Sequence, residues 1–161
     1  MGRGPVSGKT VSDGFMNLNK DLYPFNGYAY RAVAVGRNPL GLSFGLSRAI
    51  EANTAGLYCA DKPETCVREV AKYISNPEIF IIKVSRLILV LDLISYCAAE
   101  GMPKEDCYAG EWSPNKKIHL FFGQKIEAMS WESDKNPGGI SMVFLTQNIL
   151  NYELVFKAEK I

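Results

Sequence analysis

Between Ile79 and Ile94 the chain carries its longest apolar stretch, and that stretch most constrains the fold. Lys83, Ser85, Arg86 and Asp92 interrupt it. It is too short and too charged to span a bilayer, which takes about 20 predominantly apolar residues in a helix. Its two halves, Ile79–Val84 and Leu87–Leu93, are dense in Ile, Val and Leu. Branched side chains of this kind suit the pleated surface of a sheet, so both read as strands.

Further strand candidates are Tyr28–Val35, Leu57–Ala60, Ile126–Trp131, Ile140–Leu145 and Tyr152–Lys157. The cluster Ser133-Asp-Lys-Asn-Pro-Gly-Gly139 marks a turn between two of them. Asp61-Lys-Pro-Glu-Thr-Cys66 carries a helix-start signal, with Asp61 as cap and Pro63 in the first turn. The helix is expected to run to about Ile74, where Asn76-Pro77 stops it. Residues 98–115 hold Gly101, Pro103, Gly110 and Pro114 and read as irregular connection. Lys116–Gly123 fits either helix or strand. Many strands, few helices and no regular βαβ alternation predict an α+β fold with a mixed or largely antiparallel sheet.

At 161 residues the chain suits one domain. Residues 1–27, rich in Gly, Ser, Asn and Pro, are expected to form an N-terminal arm or leader, with the domain spanning 28–161. Eighteen Lys and Arg against seventeen Asp and Glu leave a net charge of +1. Such a balance supplies no field for nucleic acid or an anionic membrane. No apolar signal segment is visible in Met1–Thr10.

Three features look chemical and have simpler readings. Gly4-Pro-Val-Ser-Gly8-Lys9-Thr10 is one residue short of a phosphate loop, and no strand precedes it. His119, the lone histidine, sits beside an apolar run and reads as a packed or half-exposed side chain. Cys59, Cys66, Cys97 and Cys107 form no Cys-x-x-Cys pair, so a zinc site or other metal site is not expected, and reduced buried thiols are.

Three residues break their local pattern. Strand alternation puts Arg31 on one face with Val33 and Val35, opposite Tyr28, Tyr30 and Ala32. Arginine is rarely buried without a partner. Arg31 is therefore a structural ion pair, an arginine reaching water near a strand end, or an anion receptor using the planar fork of its guanidinium. In the helix from Pro63, Cys66, Val67, Val70, Ala71 and Ile74 form the buried stripe. Glu69 lies on its shoulder, either covering apolar surface with its stem or lining a cleft. Ser133 shares a strand face with Met129 and Trp131 and opens the Gly-rich turn, as a turn serine or as part of a site.

Taken together, these residues resemble the RES domain family, named for an Arg, a Glu and a Ser. Tyr30-Arg31-Ala32 resembles its opening arginine strand. Gly56–Val70, containing Leu57-Tyr58-Cys59-Ala60 and Arg68-Glu69-Val70, resembles its strand and glutamate helix. Val90-Leu-Asp92-Leu93 and the close from Ala128 through Ser133 to Phe144 follow in order. The family often carries a second arginine in a Gly-Arg-Phe context. Here Arg48 stands in Leu-Ser-Arg-Ala, and Arg37 in Gly-Arg-Asn competes with it. Trp131-Glu132 stands where Tyr-Pro usually precedes the serine.

The resemblance implies a fold similar to ADP-ribosyltransferase toxins and NAD+ as substrate, with no other cofactor. It implies a bacterial toxin that cleaves NAD+ at the nicotinamide–ribose bond, as a glycohydrolase or phosphorylase. A protein ADP-ribosyltransferase and a non-catalytic interaction module of the same fold are the alternatives. Such a toxin acts in the bacterial cytoplasm, either made there or delivered as part of a larger effector. An antitoxin or immunity protein is the expected partner. In the implied site Glu69 stabilises positive charge on the ribose and Arg31 holds the pyrophosphate. Tyr58 stacks on the nicotinamide or its ribose, Ser133 hydrogen-bonds ribose or phosphate, and Arg48 is a second phosphate contact.

Overall fold

A computed structural model describes residues 22–41, 56–99, 101 and 126–161. The described residues form a mixed α+β structure, with an eight-stranded sheet and few helices. In chain order they are β1 (Leu22–Phe25), β2 (Tyr28–Val33), β3 (Leu57–Ala60), α1 (Pro63–Val70), β4 (Glu78–Val84), β5 (Ile88–Asp92), α2 (Leu93–Ala99), β6 (Ala128–Glu132), β7 (Ile140–Phe144), α3 (Tyr152–Val155) and β8 (Phe156–Lys160). The strands lie in the order β1-β5-β6-β7-β3-β2-β4-β8. β5 and β6 pair in parallel, and the other neighbours are antiparallel.

The joint between β2 and β3 is narrow, with Tyr30 opposite Ala60 as its one paired position. The sheet curls on itself between β7 and β8. Four strand spacings separate β7 from β8, roughly 19 Å in a flat sheet. Yet the rings of Phe144 on β7 and Phe156 on β8 lie 4.8 Å apart. Both ends of the sheet therefore share one core, built from Ala29, Ile82 and Val84 on one side of the joint and Leu57, Ile88, Val90 and Phe144 on the other. The opposite face carries α1, over Ala32, Ala60 and Tyr30, and a second cluster around Leu91, Met129 and Val143.

Several boundaries differ from the sequence expectation. Leu22–Phe25 pairs with β5 along its length, so part of the expected arm belongs to the sheet. Asp61 does not cap α1. Lys62 occupies the cap position without a side-chain bond, and Asp61 Oδ1 accepts the Ile140 N–H at 3.0 Å. That contact ties the end of β3 to the start of β7. Regular helix stops at Val70 rather than Ile74 because the chain tightens there, with the Tyr73 N–H on the Val70 carbonyl three residues back. Beyond it Asn76 takes a left-handed conformation, φ 52°. α2 replaces the end of an expected strand, since Asp92 Oδ1 accepts the Ser95 N–H at 3.1 Å and caps a helix. A left-handed Asn151 starts a single helical turn, so the last strand begins at Phe156 instead of Tyr152. Among the described residues no helix is long and apolar enough to cross a membrane.

Cys59 and Cys66 are free and buried. Burial pushes the Cys59 thiol up to about 12 and that of Cys66 up to about 11. Their protons are held in the folded state and released near 9 in the unfolded one. The unfolded state thus binds fewer protons above pH 9, and stability falls as pH rises from there. We expect the melting temperature to decline between pH 9 and the folded-state values. At pH 8, iodoacetamide should label neither thiol until urea unfolds the chain, as peptide mapping by mass spectrometry would report.

Candidate active site

Glu69 lies on the last turn of α1, on the shoulder of the apolar stripe. Ser133 and Ser141 come from the end of β6 and the start of β7. Ser141 sits opposite both Ala60 and Trp131 in the sheet, which puts its side chain on the α1 face. The turn between β6 and β7 is held closed at its base by the Ser133 N–H on the Gly139 carbonyl, 2.9 Å. Ser133 Oγ accepts the N–H groups of Lys135 and Asn136 at 3.2 and 3.1 Å. With its lone pairs so engaged, its proton points outward, and Ser133 Oγ donates it to Glu69 Oε2. Ser141 Oγ donates to the same oxygen at 3.0 Å. Glu69 Oε1 has no hydrogen bond to a described residue. Two serines, both buried, thus orient the carboxylate through one of its oxygens.

A second contact docks α1 on this turn. Asn136 Nδ2 donates to Thr65 Oγ1 at 2.9 Å, and the Thr65 side chain is fully buried. The approach is close enough to require glycine at 139, where an added Cβ would stand 2.4 Å from Thr65 Oγ1 and 2.9 Å from its Cγ2. Gly139→Ala should therefore cost about 1–3 kcal/mol by overpacking, read as a lowered urea midpoint. It should also displace Ser133, because the turn cannot close as before. A variant as stable as the parent would show that turn and helix are not packed against each other.

Arg31 lies elsewhere. It is opposite Phe80 on β4, and Phe80 packs against the shared core. Its side chain therefore leaves β2 on the face opposite Tyr30 and α1. It reaches into the joint where β2 and β3 part. There Nη1 donates to the Tyr58 carbonyl at 2.7 Å and Nη2 to the Gly41 carbonyl at 3.0 Å. Nε is buried without a partner. Carbonyl oxygens, rather than a carboxylate, meet the guanidinium among the described residues. Burial lowers its pKa, partly offset by the nearby Cys59 and Cys66 thiols, and an arginine remains a cation under such a shift.

Tyr58 is opposite Val143 on β7 and packs in the Met129 cluster, on the same face as Glu69. Arg37 is exposed in the turn after β2. Arg48, Cys107, His119 and the segment 116–123 lie outside the described residues. The fold thus brings Glu69 and Ser133 together, sets Tyr58 on their face, and holds Arg31 through the Tyr58 main chain. Sequence reasoning missed Ser141, Thr65 and Asn136. The available signal was a hydroxyl inside an apolar run, Ile140-Ser-Met-Val-Phe144, at a position whose face matches Ser133 only once the turn length is known.

No protein-family model matches the chain, and no curated protein is significantly similar to it. The resemblance to the RES family rests on the quoted residues alone.

Proposed function

We propose that the chain is an NAD+-cleaving toxin domain with a fold similar to ADP-ribosyltransferase toxins, in which Glu69 is the catalytic carboxylate. What supports the reading is a single contact. Glu69 and Ser133, singled out from sequence and 64 residues apart, share a hydrogen bond, and the second glutamate oxygen has no hydrogen bond to a described residue. In the reaction the bond between nicotinamide nitrogen and ribose C1′ breaks, and nicotinamide departs with the electron pair. Positive charge grows on the ribose, where a fixed carboxylate stabilises it. Water or phosphate then forms the new C1′–O bond and gives up a proton. Ser133 and Ser141 hold Glu69 in place throughout. Arg31 leaves β2 on the face opposite α1 and keeps its terminal nitrogens on the Tyr58 and Gly41 carbonyls, so the pyrophosphate role implied for it is not part of this reading. In a bacterial cytoplasm the outcome is loss of NAD+, and an antitoxin or immunity protein would cover the site.

A specific observation favours a second reading, a non-catalytic interaction module. The two terminal nitrogens of Arg31 are already bonded to the main chain, which is sufficient reason for an arginine at the joint of the sheet. Incubating purified protein with NAD+ decides between the readings. Free nicotinamide with ADP-ribose or its phosphorylated form, identified by mass, supports the first. Absence of nicotinamide release overturns it in favour of the module. Radiolabel transferred from NAD+ to a protein would instead assign a protein ADP-ribosyltransferase.

A further inference from the structure

The Glu69 carboxylate has an aromatic neighbour. Trp131 on β6 is directly opposite Ser141 on β7. Residues paired in this way in an antiparallel sheet carry Cβ atoms about 4.5–5.5 Å apart on one face. Ser141 Oγ in turn donates to Glu69 Oε2 at 3.0 Å. The indole therefore leaves the sheet on the α1 face, one side chain away from the carboxylate. Tyr58, to which the family resemblance gives the stacking role, is opposite Val143, one full alternation further along that face from Ser141.

On its other flank Trp131 borders a hollow. The pairing of β5 with β6 ends at Asp92 and Ser130, where the chain runs into α2 at Leu93. Past that pair β6 continues without β5 beside it. The space so opened has a volume of about 390 Å³, within the range of small-molecule sites. Trp131 and Ile94 line it, together with Tyr23 and Ser130. Trp131 packs on the cluster of Leu91 and Met129 and stays half-buried. That packing holds the indole in place while part of it remains accessible.

One indole thus stands between an oriented carboxylate and a hollow. The nicotinamide ring of NAD+ is planar and positively charged until its bond to ribose breaks. An indole face attracts such a cation better than any other aromatic side chain does. The attraction acts before the bond breaks and fades once the ring is neutral, so it serves binding rather than the chemical step. Building on the NAD+-cleaving reading, we propose that Trp131 is the platform on which the nicotinamide ring stacks, with the hollow beside it.

Tryptophan fluorescence of the full chain tests this with 1-methylnicotinamide, the same cationic ring with no ribose to lose. It should quench part of the emission saturably. Trp131→Phe should remove that quench while Trp112, the other tryptophan of the chain, still emits. In isothermal titration Trp131→Leu should weaken 1-methylnicotinamide at least about ten-fold, and Trp131→Phe, which keeps a ring, should recover most of the loss. With NAD+, Trp131→Leu should raise KM by a similar factor and leave kcat nearly unchanged. The proposal is overturned if no saturable quench occurs, if the quench survives in Trp131→Phe, or if Trp131→Leu keeps the parent's affinity. Nicotinamide release by the parent is read separately. Release without the quench would keep the cleavage reading and remove Trp131 from it. The quench without release would keep the ring site and overturn cleavage.

Discussion

If the chain cleaves NAD+ as proposed, Glu69→Gln should lower nicotinamide release by about 10²–10³-fold, the usual loss when one electrostatic stabiliser of a transition state is removed. The substitution is nearly isosteric. Its amide oxygen still accepts from Ser133 and Ser141, which donate to Glu69 Oε2 in the parent. Thermal melting should therefore change little while the rate collapses. Only the negative charge is lost, and that charge is what a developing positive ribose requires. A folded Glu69→Gln protein with parental turnover would remove Glu69 from the chemistry. Ser141→Ala is the informative companion. It deletes one of the two donors that orient the carboxylate without touching its charge, so a smaller loss of rate, confined to kcat, is expected.

The second large effect is on stability. Phe144→Ala should cost about 3–5 kcal/mol, the range for emptying a buried aromatic site. Phe144 is completely buried, its ring 6.1 Å from Phe25 on β1 and 4.8 Å from Phe156 on β8. Those two strands are the opposite edges of the sheet, and this ring sits between them. No neighbour can collapse into the space without shifting one edge. The loss is a large part of the roughly 5–15 kcal/mol that holds a typical domain together, and it should lower the melting temperature by roughly 6–20 °C. A urea denaturation series would report it. A cost under about 1.5 kcal/mol would mean that the two edges do not share a core.

The edge strand β8 shows how little the charged surface contributes by comparison. Lys83–Glu159 and Lys160–Glu78 pair across β4 and β8 at 3.0 and 2.7 Å. The side chains involved are partly or largely exposed, and such pairs contribute about 0–1 kcal/mol each. Their role is better read as protection. Lysines on an outer strand discourage pairing with another chain.

Short-range pattern in the chain determined more of the site than of its surroundings. Period two in Tyr28–Val33 assigned Arg31 to the face opposite Tyr30, and period 3.6 in the helix put Glu69 on the shoulder of the stripe. Alternation through Met129 and Trp131 put Ser133 on their side of β6. Each of these is a statement about which way a side chain leaves its own backbone, and local geometry is enough to settle that. The elements that were misread failed for the matching reason. Leu22–Phe25 has no strong pattern of its own and is a strand because β5 lies alongside it. Asp92 could end a strand or cap a helix, and its bond to the Ser95 N–H decides for the cap.

Only the tertiary structure decided what each side chain meets. Arg31 met two carbonyls because β2 and β3 separate there, and Asp61 met Ile140 because β7 lies beside β3. Ser141 met Glu69 because the β6–β7 turn returns the chain beneath α1. Periodicity fixes direction along one segment, whereas the neighbour across the gap comes from residues tens of positions away, and no local repeat encodes that distance.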